Sequence, residues 1–222
     1  NDDLTIYDGW TPTEPFALFV HDFDAHVPGP WFTAANMHTF GDEGFTCTSE
    51  SYRETYERAE GQVAADRAMA HVLTHYDGVV HGYDALVGRL LERLQARGLL
   101  ERTIVIVTSN HGEDFGEHGP GIKHGALYDT TLRVPLVVAG PGIVGARVQT
   151  PVQGIDLAPT VLALALVPED KSMDGVSFAD LLAGGTAEPD RALRPLFSLT
   201  NARNLSVRTS TAKLIRTNEP DA

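Results

Sequence analysis

The sequence predicts an α/β protein built on a mainly parallel sheet with helices on both faces, and three stretches carry that prediction. The first is Thr103-Ile-Val-Ile-Val-Thr-Ser-Asn-His-Gly-Glu113, a β-branched run that stops at Ser109 and opens into a polar glycine turn. Such a run, bounded by turn residues, is the signature of a strand covered on both faces. The second is Pro15-Phe-Ala-Leu-Phe-Val-His21, an apolar run of strand length that releases His21, Asp22, Asp24 and His26 into a Pro-Gly-Pro loop. The third is the helical stretch between them, from about Ser51 to Arg97. Strand, long helical crossover, strand demands a parallel pair with the usual right-handed connection. In open sheets of this kind, chemistry sits just past the carboxyl ends of the strands. Both strand ends here deliver titratable groups.

Within the helical stretch, Tyr83, Leu86, Val87, Leu90, Leu91 and Leu94 recur at helical spacing and mark one apolar face. Arg89, Glu92, Arg93 and Arg97 take the other face, and Gly98 is the expected stop. An earlier helix is expected over Glu60–Thr74, with a break at Tyr76–Gly78. His71, His75 and His81 read as surface or satisfied core histidines. Residues 29–50, with Trp31, Phe32 and Phe45, read as an irregular wall beside the site. Further on, Pro135-Leu-Val-Val-Ala139 reads as a third buried strand closed by Gly140-Pro-Gly142, and 148–154 as an extended edge segment. Asp156 can cap a helix that carries Pro159 in its first turn, where a missing N–H costs nothing. Asp174-Gly175 marks a turn, and Ser177 caps a short helix to Leu182. Pro195–Leu199 and Thr211–Arg216 read as strands.

A chain of 222 residues suffices for one sizeable α/β domain or two small ones. Its net charge of −13 argues against a general nucleic-acid binder, because phosphate neutralisation needs clustered Lys and Arg. No apolar run reaches the roughly 18 residues that span a bilayer; Ile155–Val167 is too short and contains Asp156 and Pro159. The single cysteine, Cys47, excludes an internal disulfide. It has no basic neighbour to activate its thiol.

A cation that assists ester cleavage needs oxygen or imidazole ligands, a nearby fixed positive charge, and a proton donor for the leaving group. Asn110 offers a carbonyl oxygen and His111 a ring nitrogen. Lys123 offers the fixed charge for a sulfate or phosphate oxygen, and His26 and His124 can exchange protons near neutral pH. Spacing alone does not force these roles. Glu113, Asp114, Glu117 and His118 read as a solvated acidic turn, and Arg133 as structural.

Several motifs occur together in a consistent order. They are Phe19-Val-His-Asp-Phe-Asp-Ala-His-Val-Pro28, Tyr83–Leu91, Thr103–Glu113, Lys123-His124, Leu127-Tyr-Asp, Leu132-Arg-Val-Pro135, Gly154-Ile-Asp-Leu-Ala-Pro-Thr-Val-Leu and Asp174-Gly-Val-Ser-Phe. This set, running from about residue 14 to 216, resembles the sulfatase family of the alkaline phosphatase superfamily. The resemblance implies an alkaline-phosphatase-like α/β sandwich, a divalent cation (Ca, Mg, Mn or Zn) and hydrolysis of a small anionic sulfate or phosphate-type ester. It places Asn110 and His111 as metal ligands and Lys123 on the substrate anion. His26 falls at a leaving-group or anion histidine, and His124 matches a position that lines the site in some relatives. It divides the chain into a lead-in loop (1–14), a sulfatase-like domain (15–216) and a tail (217–222).

Two departures stand beside the match. The family usually has Asp where this chain has Asn110, and Asn keeps an oxygen ligand while losing a negative charge. The family's N-terminal portion, with its paired-Asp motif and the Cys or Ser that becomes formylglycine, has no counterpart here. Cys47 is followed by Thr and Ser rather than the required Pro and Arg. The expectation is therefore a hydrolase that is incomplete and inactive as these residues alone, with the N-terminal segment as its missing partner. Other readings are a phosphonate or phosphodiester hydrolase, a phosphoethanolamine transferase, or a non-catalytic sulfatase-like binding domain.

Overall fold

The computed structural model describes residues 12, 15–21, 26, 62–119, 124–168, 170–186, 191, 193–200 and 204–217. Lys123, Cys47 and the expected wall at 29–50 lie outside them. The chain divides into two units, one of residues 1–99 and 119–122, the other of 100–118 and 123–222.

In the first unit the described structure is dominated by helix α1, Gln62–Ala96. It is one continuous helix of 35 residues, so the break expected at Tyr76–Gly78 does not occur. Gly in a helix interior costs only about 1 kcal/mol relative to Ala. Buried Val72 and Val79 bracket Gly78, which is itself buried, so burial on either side offsets that cost. The helix ends as expected at Gly98, whose φ is +64°. The Gly98 amide donates to the Gln95 carbonyl at 2.9 Å and the Leu99 amide to the Leu94 carbonyl at 2.9 Å. This paired closure needs a left-handed residue, which glycine adopts without a Cβ penalty. Leu94 and Leu99 are buried beside it. Pro15–His21 does not form the expected strand: it makes no ladder, and Phe19 is 88% exposed.

The second unit holds the remaining elements. Strand β1, Val105–Thr108, forms at the predicted place. It pairs antiparallel with β2, Leu136–Ala139, in the register Val105↔Ala139 to Thr108↔Leu136. The described residues of the connection between them include the short helix α2, Asp129–Leu132. Among the described residues every strand pair is antiparallel, so no parallel pair appears in them. Nor is either strand fully covered: β1 is half-buried throughout and Val137 of β2 is exposed. Residues 143–149 have no ladder partner. Gly140 lets β2 leave close beside β1, because a Cβ there would stand 2.6 Å from the Thr103 carbonyl oxygen.

Helix α3, Leu157–Leu164, follows a single 3-10 turn at Gly154–Asp156 and packs against α4, Ala179–Leu182. Asp156 does not cap α3 through its side chain as expected. Its carboxylate is buried and works as a hub instead. It accepts the Gln153 amide at 2.9 Å, the Val176 amide at 2.8 Å and the Arg194 guanidinium at 2.7 Å. Thr160 extends the hub by accepting the Phe178 amide at 3.0 Å. Gly175 fits beneath it because a Cβ would collide with the Ile155 carbonyl. Ser177 accepts the Ala179 amide at 3.3 Å at the start of α4. Strands β3, Leu196–Leu199, β4, Leu205–Arg208, and β5, Lys213–Arg216, form an antiparallel sheet in chain order. Of these, β4 has no counterpart in the sequence reading. Asp129 anchors this sheet to α2 through Lys213, at 2.8 Å, and Arg208. These partners, Lys213 first and then Arg208, hold the Asp129 carboxyl below the usual range.

Candidate active site

The turn after β1 is built from its own side chains. The Thr108 hydroxyl donates to the Pro135 carbonyl at 2.8 Å and pins the strand end to the entry of β2. The Ser109 hydroxyl donates to the His111 carbonyl at 2.7 Å, and the Asn110 Oδ1 accepts the His111 amide at 3.1 Å. The Gly112 amide donates to the Thr131 carbonyl at 2.8 Å. A Cβ on Gly112 would lie 2.2 Å from the Thr130 carbonyl oxygen, so only glycine allows the turn to seat against 130–131. Ser-Asn-His-Gly therefore folds as it does because each member closes part of one turn.

This turn presents an imidazole in a fixed orientation. His111 Nδ1 lies 3.0 Å from the Gly112 carbonyl. A carbonyl only accepts, so Nδ1 donates this bond, which fixes the ring's direction and turns Nε2 away from Gly112. The His124 ring stacks on it, with centroids 5.2 Å apart and planes at 23°. Glu113 Oε2 approaches His124 Nδ1 to 3.5 Å from a carboxylate whose side chain is only 3% exposed. Burial, and then the neighbouring His111, hold the His124 imidazole below its ordinary pKa. At neutral pH it is uncharged, and its approach to Glu113 is not a salt bridge.

Behind these groups lies a carboxylate that is wholly buried. Asp114 Oδ1 accepts the amides of Gly116 at 3.0 Å and His118 at 3.4 Å. Its Oδ2 takes the His118 Nδ1 proton at 2.5 Å and the Thr130 hydroxyl at 3.1 Å. Burial pushes this carboxyl up, but the hydrogen bonds from His118, Thr130 and the two amides outweigh it and hold the pKa at about 2. The His118 ring in turn lies flat on Tyr128, with centroids 3.7 Å apart and planes at 4°. Glu117 closes the turn by accepting the Phe115 amide at 2.6 Å.

Of the residues singled out from sequence, Asn110, His111 and His124 lie together in the second unit. His26 lies half-buried in the first, and Lys123 falls outside the described residues. The solvated acidic turn is corrected: Glu113 and Asp114 are 8% and 0% exposed, while Glu117 and His118 are exposed. The i,i+4 spacing of Asp114 and His118 is the only trace of this arrangement in the sequence, since Thr130 comes from a distant segment. The donor set of an amide oxygen and an imidazole, beside the buried Glu113 carboxylate, fits a divalent cation of intermediate softness. A separate depression of about 460 Å³, lined by Gln153, Ile155, Asp174, Arg194 and Phe197, shares no residue with this group.

Comparison with known proteins places this geometry in context. The family model described as Sulfatase matches residues 8–167, and that of the N-sulphoglucosamine sulphohydrolase C-terminal region matches 116–219. Arylsulfatase K of Homo sapiens is 33% identical over 93% of this chain and 42% of its own length. Arylsulfatase K of Gallus gallus is 29% identical over 91% and 36%. The chain thus spans about two-fifths or less of the length of these relatives. A solved structure in complex with its substrate D-glucosamine-2-N,6-O-disulfate superposes with a TM-score of 0.66 at 26% identity, covering 78% of this chain and 37% of that one. The phosphonate monoester hydrolase of Agrobacterium radiobacter shares the fold, with a TM-score of 0.61 at 23% identity over 71% and 36%. The fold is accordingly the α/β fold of sulfatases and their alkaline-phosphatase-like kin. With a family model matched over residues 8–167 of 222, the chain belongs to the sulfatase family.

Proposed function

We propose that this chain forms part of a metal-dependent sulfuric ester hydrolase acting on a small anionic ester, with a sulfated amino sugar as the substrate class. The observation that carries the reading is the turn after β1, where the family match covers Asn110 and a His111 oriented by the Gly112 carbonyl. The substrate class draws on two related proteins. One structure holds D-glucosamine-2-N,6-O-disulfate, and the N-acetylglucosamine-6-sulfatase of Bos taurus is 38% identical over 46% of this chain.

In this reading Asn110 and His111 would hold the cation, through an amide oxygen and an imidazole nitrogen. A bound divalent cation would supply Lewis-acid polarisation of the ester's sulfuryl oxygens. Gly112 fixes the direction of His111 through its carbonyl. Lys123 pairs with the anionic group of the substrate. His26 and His124 are the residues that bind the anion or give a proton to the leaving oxygen; burial, and then His111, hold the His124 imidazole below its ordinary pKa. Cys47 is not assigned as a nucleophile. The reading also takes one domain over 15–216, flanked by a lead-in at 1–14 and a tail at 217–222, with a mainly parallel sheet. The sulfatase likeness of fold supports that architecture.

The test assays the full-length protein on 4-nitrophenyl sulfate, glucosamine 6-sulfate and a phosphonate monoester, before and after chelation. Sulfate turnover that chelation abolishes and Mn or Ca restores is the expected result. Preference for the phosphonate ester would move the protein to a different substrate class. The neutral Asn110 favours a second reading, a non-catalytic sulfatase-like binding domain. Restoration of turnover by Asn110→Asp alone would support it, and turnover with Asn110 in place would remove it.

A further inference from the structure

The loop that bears Asn110 and His111 and the segment 126–131, which follows closely on His124, are joined by ties that the proposed chemistry does not itself use. The Gly112 amide reaches the Thr131 carbonyl at 2.8 Å. The Asp114 carboxylate reaches the Thr130 hydroxyl at 3.1 Å. The His118 ring lies on Tyr128 at 3.7 Å. Segment 126–131 is closed on itself, because the hydroxyl of buried Thr131 is shared between the Ala126 carbonyl at 2.5 Å and the Tyr128 carbonyl at 3.0 Å. Asp114 is the common member: its oxygens take contacts from Gly116, His118 and Thr130, so one carboxylate shapes the loop and also fastens it.

We infer that Asp114 is a positioning residue, whose buried carboxylate clamps the 110–118 loop onto 126–131 and so sets the stacked spacing of His111 and His124. The clamp rests on the reading of Asn110 and His111 as cation ligands for its functional meaning, though not for its geometry. Its logic is that of outer-shell partners around metal sites, which orient ligands without touching the ion and whose loss typically lowers affinity about 10- to 100-fold. Asp114→Asn is the informative substitution. It is nearly isosteric and keeps an acceptor for the turn amides, but it sets an N–H₂ group against the His118 Nδ1 proton and the Thr130 hydroxyl. Thr130→Val is milder and removes only the tie to the second segment.

The experiment uses the full chain and Mn²⁺ alone as probe. Affinity is read by electron paramagnetic resonance, and ring proximity by nuclear Overhauser contacts between His111 and His124. Near-ultraviolet circular dichroism checks the fold. Asp114→Asn is expected to keep the fold, lose the contacts between the rings, and bind Mn²⁺ about tenfold more weakly. Thr130→Val is expected to move both readouts the same way by less, and it decides the matter if Asp114→Asn does not fold. A folded variant of either kind with unchanged ring contacts and Mn²⁺ affinity would overturn the clamp. His111→Ala separates the two claims: if it binds Mn²⁺ as well as the parent, the ligand reading fails, while the ring contacts in Asp114→Asn and Thr130→Val still judge the clamp.

Discussion

At the scale of single residues, the site depends on side chains that are absent as much as on those present. Gly112 seats the turn only because it lacks a Cβ, which would otherwise overlap the Thr130 carbonyl at 2.2 Å. Gly112→Ala should therefore destabilise the protein by about 2 kcal/mol or more, the cost of forcing backbone apart in a packed region. Urea denaturation measures this, and a change under half that size would show that the turn yields easily. Asp156 is the opposite case, a buried charge justified by its partners. Asp156→Ala leaves the Arg194 guanidinium and the Gln153 and Val176 amides without their acceptor. Breaking such a pair costs about 3–5 kcal/mol. Replacing Asp156 and Arg194 together should cost less than the sum of the single changes, and a double-mutant cycle reads the difference.

At the scale of elements, the sequence announces what is local and hides what is shared. The apolar face from Tyr83 to Leu94, the glycine stop at Gly98 and the strand before Asn110 are legible because each is set by neighbours within a few residues. The direction of β1 against β2 is not, because register belongs to two segments at once. Nor is the continuity of α1 past Gly78, which is decided by what Val72 and Val79 bury against. In the site, Asn110, His111 and His124 were legible by type, whereas the burial of Glu113 and Asp114 required the fold. The helix offers its own test. Gly98→Ala places a Cβ at φ +64° and should destabilise by about 1 kcal/mol. Val79→Ala, at a residue 1% exposed, should cost about 2 kcal/mol through transfer loss and a cavity. A thermal melt that ranks these two in the reverse order would mean α1 is held by its end rather than its middle.

At the scale of the whole molecule, two carboxylates couple stability to acid. Asp114 ionises at about 2 rather than its ordinary 3.8, and Asp129 is also held below its ordinary value. A depressed folded pKa contributes stability that is complete above the ordinary value and is lost as pH falls through the folded one. Urea midpoints should thus be flat above about pH 5 and fall steadily between about pH 4 and pH 2. Asp129, half exposed and screened by solvent, should contribute the smaller share. Asp114→Asn should flatten most of that slope, and an unchanged slope would assign it to other groups. The Asp156 hub has a different consequence for how the second unit opens. It draws Gln153, Val176 and Arg194 to one carboxylate although they lie up to 38 positions along the chain from Asp156. Releasing any one of them strips the carboxylate of part of what holds the others, so these segments should open together. In deuterated buffer, the amide protons of Gln153, Val176 and Phe178 should exchange at matched rates with a common dependence on denaturant, defining one cooperative unfolding unit assembled from separate stretches of the chain.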